Sequence, residues 1–157
     1  MRAMRRTPAK EGDYTMSAEA NKAAARRIVE EGINKGDMAA LDAVHAPNFV
    51  DHTVPPGMPA DLNGFKMFVQ ALRAAFPDIH YHIDAEVAEG DMLTHYLTAH
   101  GTMKGEFSGM PATGKNATWK EMHMGRFANG KVAEHWGVVD QMGMMASLGY
   151  KVDVSMK

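Results

Sequence analysis

Along the chain the apolar positions first recur at helical spacing and later alternate, and the change falls at Pro77. Ala20, Ala24, Ile28, Val29 and Ile33 form one helical stripe. Ser17 stands before it as an N-cap, with Glu19 in the first turn, where the helix dipole favours a carboxylate. Gly36-Asp37 stops this helix, and Met38 to His45 reads as a short second one. Pro47 breaks the second helix and leaves Phe49 to Thr53 as a short extended segment. A rigid loop, Pro55-Pro56-Gly57-Met58-Pro59, follows. Asp61 then caps a third helix carrying Leu62, Phe65, Phe68, Val69 and Leu72, which ends before Pro77.

After Pro77, Ile79, Tyr81, Ile83, Ala85 and Val87 alternate with His80, His82, Asp84 and Glu86, the period of a strand. Gly90-Asp91 turns the chain into a second strand, Leu93 to Thr102. A Gly/Pro-rich stretch, Gly105 to Gly114, precedes a third, Ala117 to Ala128. Asn129-Gly130 is a strong hairpin signal, because both residues tolerate the positive φ of a type I′ turn. Lys131 to Asp140 returns as the last strand, and Gln141 to Leu148 forms a final short helix or turn. Helices first and a strand meander later define an α+β class with helices packed on one sheet face. The periodic domain spans residues 17–150, with a flexible extension over 1–16 and a tail over 151–157; Met16 is an alternative start.

At 157 residues one domain with a single core is expected. The formal net charge of −2 argues against a protein whose affinity comes from neutralising phosphates, so no nucleic-acid partner is expected. No apolar run approaches the ~20 residues that span a bilayer, so no membrane partner is expected either. The absence of cysteine removes disulfides, thiolate metal sites and a Cys nucleophile together. It suits a reducing compartment, and the expected location is cytoplasmic.

The hairpin allows a register to be derived. With Asn129 and Gly130 as the loop, Ala128 faces Lys131, and uninterrupted pairing then sets His123 opposite Trp136, Glu121 opposite Val138 and Trp119 opposite Asp140. Trp119, Glu121, His123, Glu134, Trp136, Val138 and Asp140 then share one side, and Lys120, Met122, Met124, Arg126, His135 and Val139 the other. Three carboxylates, a histidine and both tryptophans on a face covered by helices call for a cavity, the usual form of a small-molecule site. A solvated face, with Glu121 and Glu134 in water, is the alternative.

The chain also resembles the SnoaL-like polyketide cyclases, within the nuclear transport factor 2-like superfamily. The matching pieces run from Phe49-x-Asp51-His52, through Gly64 with Phe68, to Phe76-Pro77-Asp78. They continue with Gly90-Asp91, Gly101-Thr102-x-x-Gly105, Pro111-x-Thr113-Gly114-Lys115 and Arg126-Phe127. Gly130-Lys131-Val132-x-Glu134-x-Trp136-x-x-x-Asp140 and Leu148-Gly149 complete the set, which covers Ser17 to Gly149. The resemblance implies a cone-shaped α+β fold whose N-terminal helices pack on a curved, mostly antiparallel sheet around a pocket. It implies intramolecular aldol cyclisation of a polyketide-like ester, with an Asp as general acid/base and no cofactor or metal. That Asp corresponds to Asp140, with His123 as its partner and His52 as the other candidate. Phe68, Tyr96, Trp119, Glu121 and Trp136 complete the expected substrate wall around a small apolar substrate. Tyr96 stands where family members often carry Arg, Met103 where a His is common, and Ser147 where a Gln is common.

Other readings stand beside this one. His80-x-His82 offers two metal ligands on one strand face, but Asp84 and Glu86 continue that face as a solvated or subunit-contacting surface, and no metal site is expected. Met122 and Met124, with Val139, suggest a homodimer through the sheet face away from the pocket. The same pocket also suits a binding module that holds a small apolar ligand without turnover. A ketosteroid-isomerase-like activity or an epoxide hydrolase are further alternatives; the latter needs an Asp-Arg-Asp group, and Arg126 falls on the wrong face for it.

Overall fold

The computed structural model describes residues 11–151. Most of the expected extension, and the tail beyond residue 151, lie outside the described residues. Helix α1 spans Glu11–Arg27 and continues as a π-helical turn over Ile28–Ile33, closed by Asn34 N–H on the Val29 carbonyl at 2.9 Å. Ser17 therefore lies inside the helix and is not its N-cap: no proline stands between Pro8 and Ser17, and Gly12 alone costs too little to end the helix. Helix α2, Met38–Val44, is capped by Asp37, whose side chain accepts from Ala39 and Ala40 N–H. Strand β1 follows at once over His45–Asp51, with Pro47 inside it rather than ahead of it. A proline is tolerated there because β1 is a sheet edge, and the pairing shifts between His45 and Val50. Helix α3, Leu62–Ala75, has the expected Asp61 cap, which accepts from Gly64 N–H at 3.1 Å.

Strands β2 (His80–Glu89), β3 (Met92–Thr102), β4 (Asn116–Ala128) and β5 (Lys131–Val139) follow, and helix α4, Gln141–Ser147, ends the fold. The sheet order is β1-β5-β4-β3-β2, antiparallel except for the parallel β1/β5 pair. The helices cover one face. Val29, Leu72 and Phe76 pack on Tyr81, Leu97, Ala99 and Trp119, while Ala24, Ala25, Phe49 and Val44 pack on Leu93, Phe127 and Val132. These two clusters close the ends of the helix–sheet space and leave a cavity between them.

The turn is as the sequence predicts: Asn129 and Gly130 both have positive φ, 51° and 73°, and Ala128 pairs with Lys131. The register beyond it is not. Phe127 pairs with Val132 but Arg126 with Glu134, so Ala133 is the extra residue of a β-bulge. Past the bulge every β5 side chain sits on the opposite face from the expected one. His123 pairs with Gly137, Glu121 with Val139 and Met124 with Trp136. The inward set on β5 is thus Val132, His135, Gly137 and Val139, and Glu134, Trp136 and Val138 turn outward.

Candidate active site

The cavity has a volume of about 530 Å³, in the range of small-molecule sites. Its walls are mostly apolar, with Phe49, Phe65, Phe68, Leu72, Leu97, Phe107 and Trp119 prominent. Among the described residues its lining holds no Lys or Arg, and its ionisable groups are Asp51, Glu121, Tyr81 and four histidines, His45, His95, His123 and His135.

Six polar side chains form one chain across the sheet. The parallel register sets Asp51 beside His135, and Asp51 Oδ1 accepts from His135 Nδ1 at 2.9 Å. His135 Nε2 meets His123 Nδ1 at 2.9 Å, with the two rings stacked at 5.1 Å. His123 Nε2 lies 2.6 Å from Glu121 Oε2. Glu121 Oε1 in turn accepts from the Tyr81 hydroxyl at 2.9 Å and from Trp119 Nε1 at 2.5 Å. Burial, and then the Glu121 carboxylate, hold the Tyr81 hydroxyl well above its usual range, so it stays a donor. Burial pushes Asp51 up, but hydrogen bonds from His135 and the Thr53 backbone, with the neighbouring imidazoles, leave it below the ordinary carboxylate value. Gly137 makes the contact of the two rings possible. A Cβ there would lie 2.6 Å from His123 Nδ1.

Proton counting gives this chain a chemical character. Three hydrogen bonds join the two carboxylates and the two imidazoles, and each requires one proton. Two carboxylates with two neutral imidazoles bring only two. A chain with all three bonds formed at once holds one more, for a net charge of −1.

His95 is held separately. It is the cross-strand neighbour of His123 and lines the same cavity. Its Nε2 lies 3.3 Å from Glu86 Oε2, and Glu86 is gripped by the Arg26 guanidinium through both oxygens. Burial would raise the Glu86 carboxyl, but Arg26 and His95 bring it below its usual value, so it accepts and His95 Nε2–H donates. Burial lowers the His95 imidazole, which is neutral at pH 7 with Nδ1 unprotonated. Every sealed side-chain nitrogen or oxygen among the described residues has a partner. No hydrogen bond among them involves His95 Nδ1, so that lone pair is open to the cavity.

Of the expected site residues, Phe68, Trp119, Glu121 and His123 line the cavity. Asp140 does not. The bulge turns its neighbours over, and it stands exposed beyond the end of β5 as the N-cap of α4, accepting from Gly143 N–H at 2.8 Å. Trp136 faces outward for the same reason, with the His52 ring stacked on it at 4.7 Å. His52 also contacts Glu134 at 3.0 Å, and Glu134 pairs with Arg126, so His52 belongs to an outer-face cluster. Tyr96 alternates against Leu93 and Leu97 and lies on the outer face, under the Lys120 ammonium at 5.2 Å. Arg126 lies on that face too, as expected. The residues missed are Asp51, His135, His95 and His45. Asp51 shares the parity of buried Phe49, and His95 that of buried Leu93 and Leu97, so alternation alone would have favoured them over His52 and Tyr96.

Comparison with known proteins agrees with this architecture. The nogalonic acid methyl ester cyclase of Streptomyces nogalater is 25% identical over 118 residues, 74% of this chain and 88% of that protein. The aklanonic acid methyl ester cyclase DnrD of Streptomyces peucetius is 30% identical over 93 residues, 57% of this chain and 64% of that protein. Among solved structures, IdmH from Streptomyces antibioticus superposes with a TM-score of 0.73 at 32% identity, covering 82% of this chain and 98% of its own. The family model for the SnoaL-like polyketide cyclases matches residues 23–148, and the chain belongs to that family.

Proposed function

We propose that the protein closes a ring by intramolecular aldol addition in a neutral, polyketide-like ester, using its own side chains as acid and base. The observation that carries this reading is the pairing of a continuous hydrogen-bonded chain, Asp51–His135–His123–Glu121, with an open imidazole nitrogen on the neighbouring strand, His95 Nδ1. In this reading His95 removes the acidic α-proton of the ester. The carbanion attacks a ketone carbon of the same molecule, forming the C–C bond, and the oxygen that becomes negative takes the extra proton of the chain. The proton on His95 then returns to the chain, which restores both partners. No atom is gained or lost, so the step requires no oxidant or group donor.

The lining supports a neutral substrate. Two carboxylates and, among the described residues, no Lys or Arg in the wall disfavour a free acid and suit an ester. The names of two relatives, cyclases of acid methyl esters, point the same way. In this reading His123 keeps its expected catalytic role and Asp140 a structural one.

The test is turnover of aklanonic and nogalonic acid methyl esters by chelator-treated protein, followed as ring-closed product. The His123→Gln variant is expected to turn over about 100-fold more slowly, with little change in ester affinity. Binding of both esters with no product from the wild type would contradict the enzymatic reading and favour the ligand-binding module.

A further inference from the structure

His45 is a buried cavity residue that the proposed reaction leaves unused. It stands at the junction of α2 and β1, 4% exposed. Its Nδ1 lies 2.7 Å from the Leu41 carbonyl oxygen, which only accepts, so Nδ1 carries the ring proton. Burial, opposed in part by that hydrogen bond, lowers the imidazole to about 4, and the ring is neutral at working pH. A neutral imidazole with its proton fixed on Nδ1 presents Nε2 as an acceptor and nothing else. No hydrogen bond among the described residues reaches that Nε2, yet no sealed side-chain nitrogen among them lacks a partner. Nε2 is therefore open to the cavity that His45 lines.

The surroundings select what meets it. Phe49 stands edge-on to the His45 ring at 4.6 Å, and Phe65 lies tilted against it at 5.4 Å. Phe65 also lies beside His135 of the hydrogen-bonded chain, with ring centroids 6.2 Å apart. One aromatic wall thus joins a lone acceptor to the reacting groups. A ligand atom at His45 must bring a hydrogen to donate, since an acceptor would be repelled and an apolar group would leave Nε2 desolvated and unpaired. A site built to bond a hydroxyl rejects the analogue without one more strongly than an apolar pocket rejects an added methyl.

We infer that His45, with Phe49 and Phe65, forms a subsite for an aromatic ring bearing a free hydroxyl, so that the substrate is a phenol and not its O-alkylated counterpart. This rests on the reading above only in taking the cavity as the substrate site, and its test is made by binding, without turnover. Isothermal titration compares 1-naphthol with 1-methoxynaphthalene on the full chain. The wild type is expected to bind the naphthol at least about tenfold more tightly. His45→Phe keeps the ring and removes the acceptor. His45→Asn keeps a donor for the Leu41 carbonyl but has no atom in place of Nε2. Both variants are expected to bind the two probes within about twofold of each other, with affinity for the methoxy compound retained as proof of an intact cavity.

Equal binding of the probes by the wild type, no binding of 1-naphthol, or discrimination that survives in His45→Asn would each overturn the subsite. A His123→Gln protein that discriminates normally but does not turn over the esters leaves the subsite standing. Loss of discrimination in the His45 variants alongside an inactive wild type counts against the cyclase reading and not against the subsite.

Discussion

At the scale of single residues, the site depends on which atoms are committed and which are open. Each ring nitrogen of His123 and His135 is bonded, so the two rings are fixed in position and link the two carboxylates. His95 and His45 each have one nitrogen tied down and one with no hydrogen bond among the described residues, and both line the cavity. Gly137 is as much a part of the site as the histidines, because it keeps the space in which the two rings touch. Gly137→Ala is expected to displace His123 and break the chain, lowering turnover by about tenfold or more while costing only about 1–2 kcal/mol of stability. Chemical denaturation and steady-state kinetics on the same preparation separate the two effects. Legibility at this scale was uneven: Trp119, Glu121 and His123 follow from strand alternation, whereas Asp51 and His95 were passed over although the same alternation, counted from Phe49 and Leu93, turns them inward.

At the scale of elements, helix α3 with its Asp61 cap, strands β2 to β5 and the Asn129-Gly130 turn were legible because each rests on local signals, whereas the start of α1 and the path of β1 through Pro47 were not. The inward face of β5 was not, because a bulge adds one residue without leaving a local signal as strong as a turn. Its trace is the consecutive burial of Val132 and Ala133, which a regular strand with one open face does not allow. A single uncounted residue exchanged Trp136 and Asp140 for His135 and Gly137. Asp140 thereby acts on an element, holding the first turn of α4 through Gly143. Asp140→Ala is expected to cost about 1 kcal/mol in stability and to keep turnover within about twofold of the wild type. A folded variant that turns over about a hundredfold more slowly would return Asp140 to the reaction.

At the scale of the whole molecule, burial of neutral imidazoles ties stability to pH. His45 binds its proton less readily when folded, at about 4, than its ordinary value of 6.5. Between those values the unfolded chain takes up the proton and the folded one does not, so stability is full above 6.5 and falls as pH drops toward 4. The difference amounts to about 3 kcal/mol for His45, and His95, also lowered by burial, adds in the same direction. Melting temperature is expected to fall between about pH 7 and about pH 4.5, and to fall less in His45→Asn. The lowered carboxyls of Asp51 and Glu86 act below this window, where their contribution is lost on protonation. The sheet face away from the cavity leaves Met122 half exposed and Val138 72% exposed, beside Tyr96 and Met124. An apolar surface of this kind is expected to pair two copies of the chain. Light scattering should then give twice the 17.2 kDa chain mass, with Val138→Asp shifting it to the monomer.

The claim on which the rest depends is that this cavity moves protons with its own side chains, and it is tested without knowing the natural substrate. 5-Nitrobenzisoxazole is small, planar and uncharged, and loss of its C3 proton breaks the N–O bond to give a coloured cyanophenolate. The measurement is the saturable rate of that elimination, with chelator present, by the wild type and by His95→Gln. Acceleration above that of free imidazole at equal concentration is expected, with a loss of about tenfold or more in the variant. Wild-type rates no faster than free imidazole, or an undiminished rate in a folded His95→Gln protein, would contradict it.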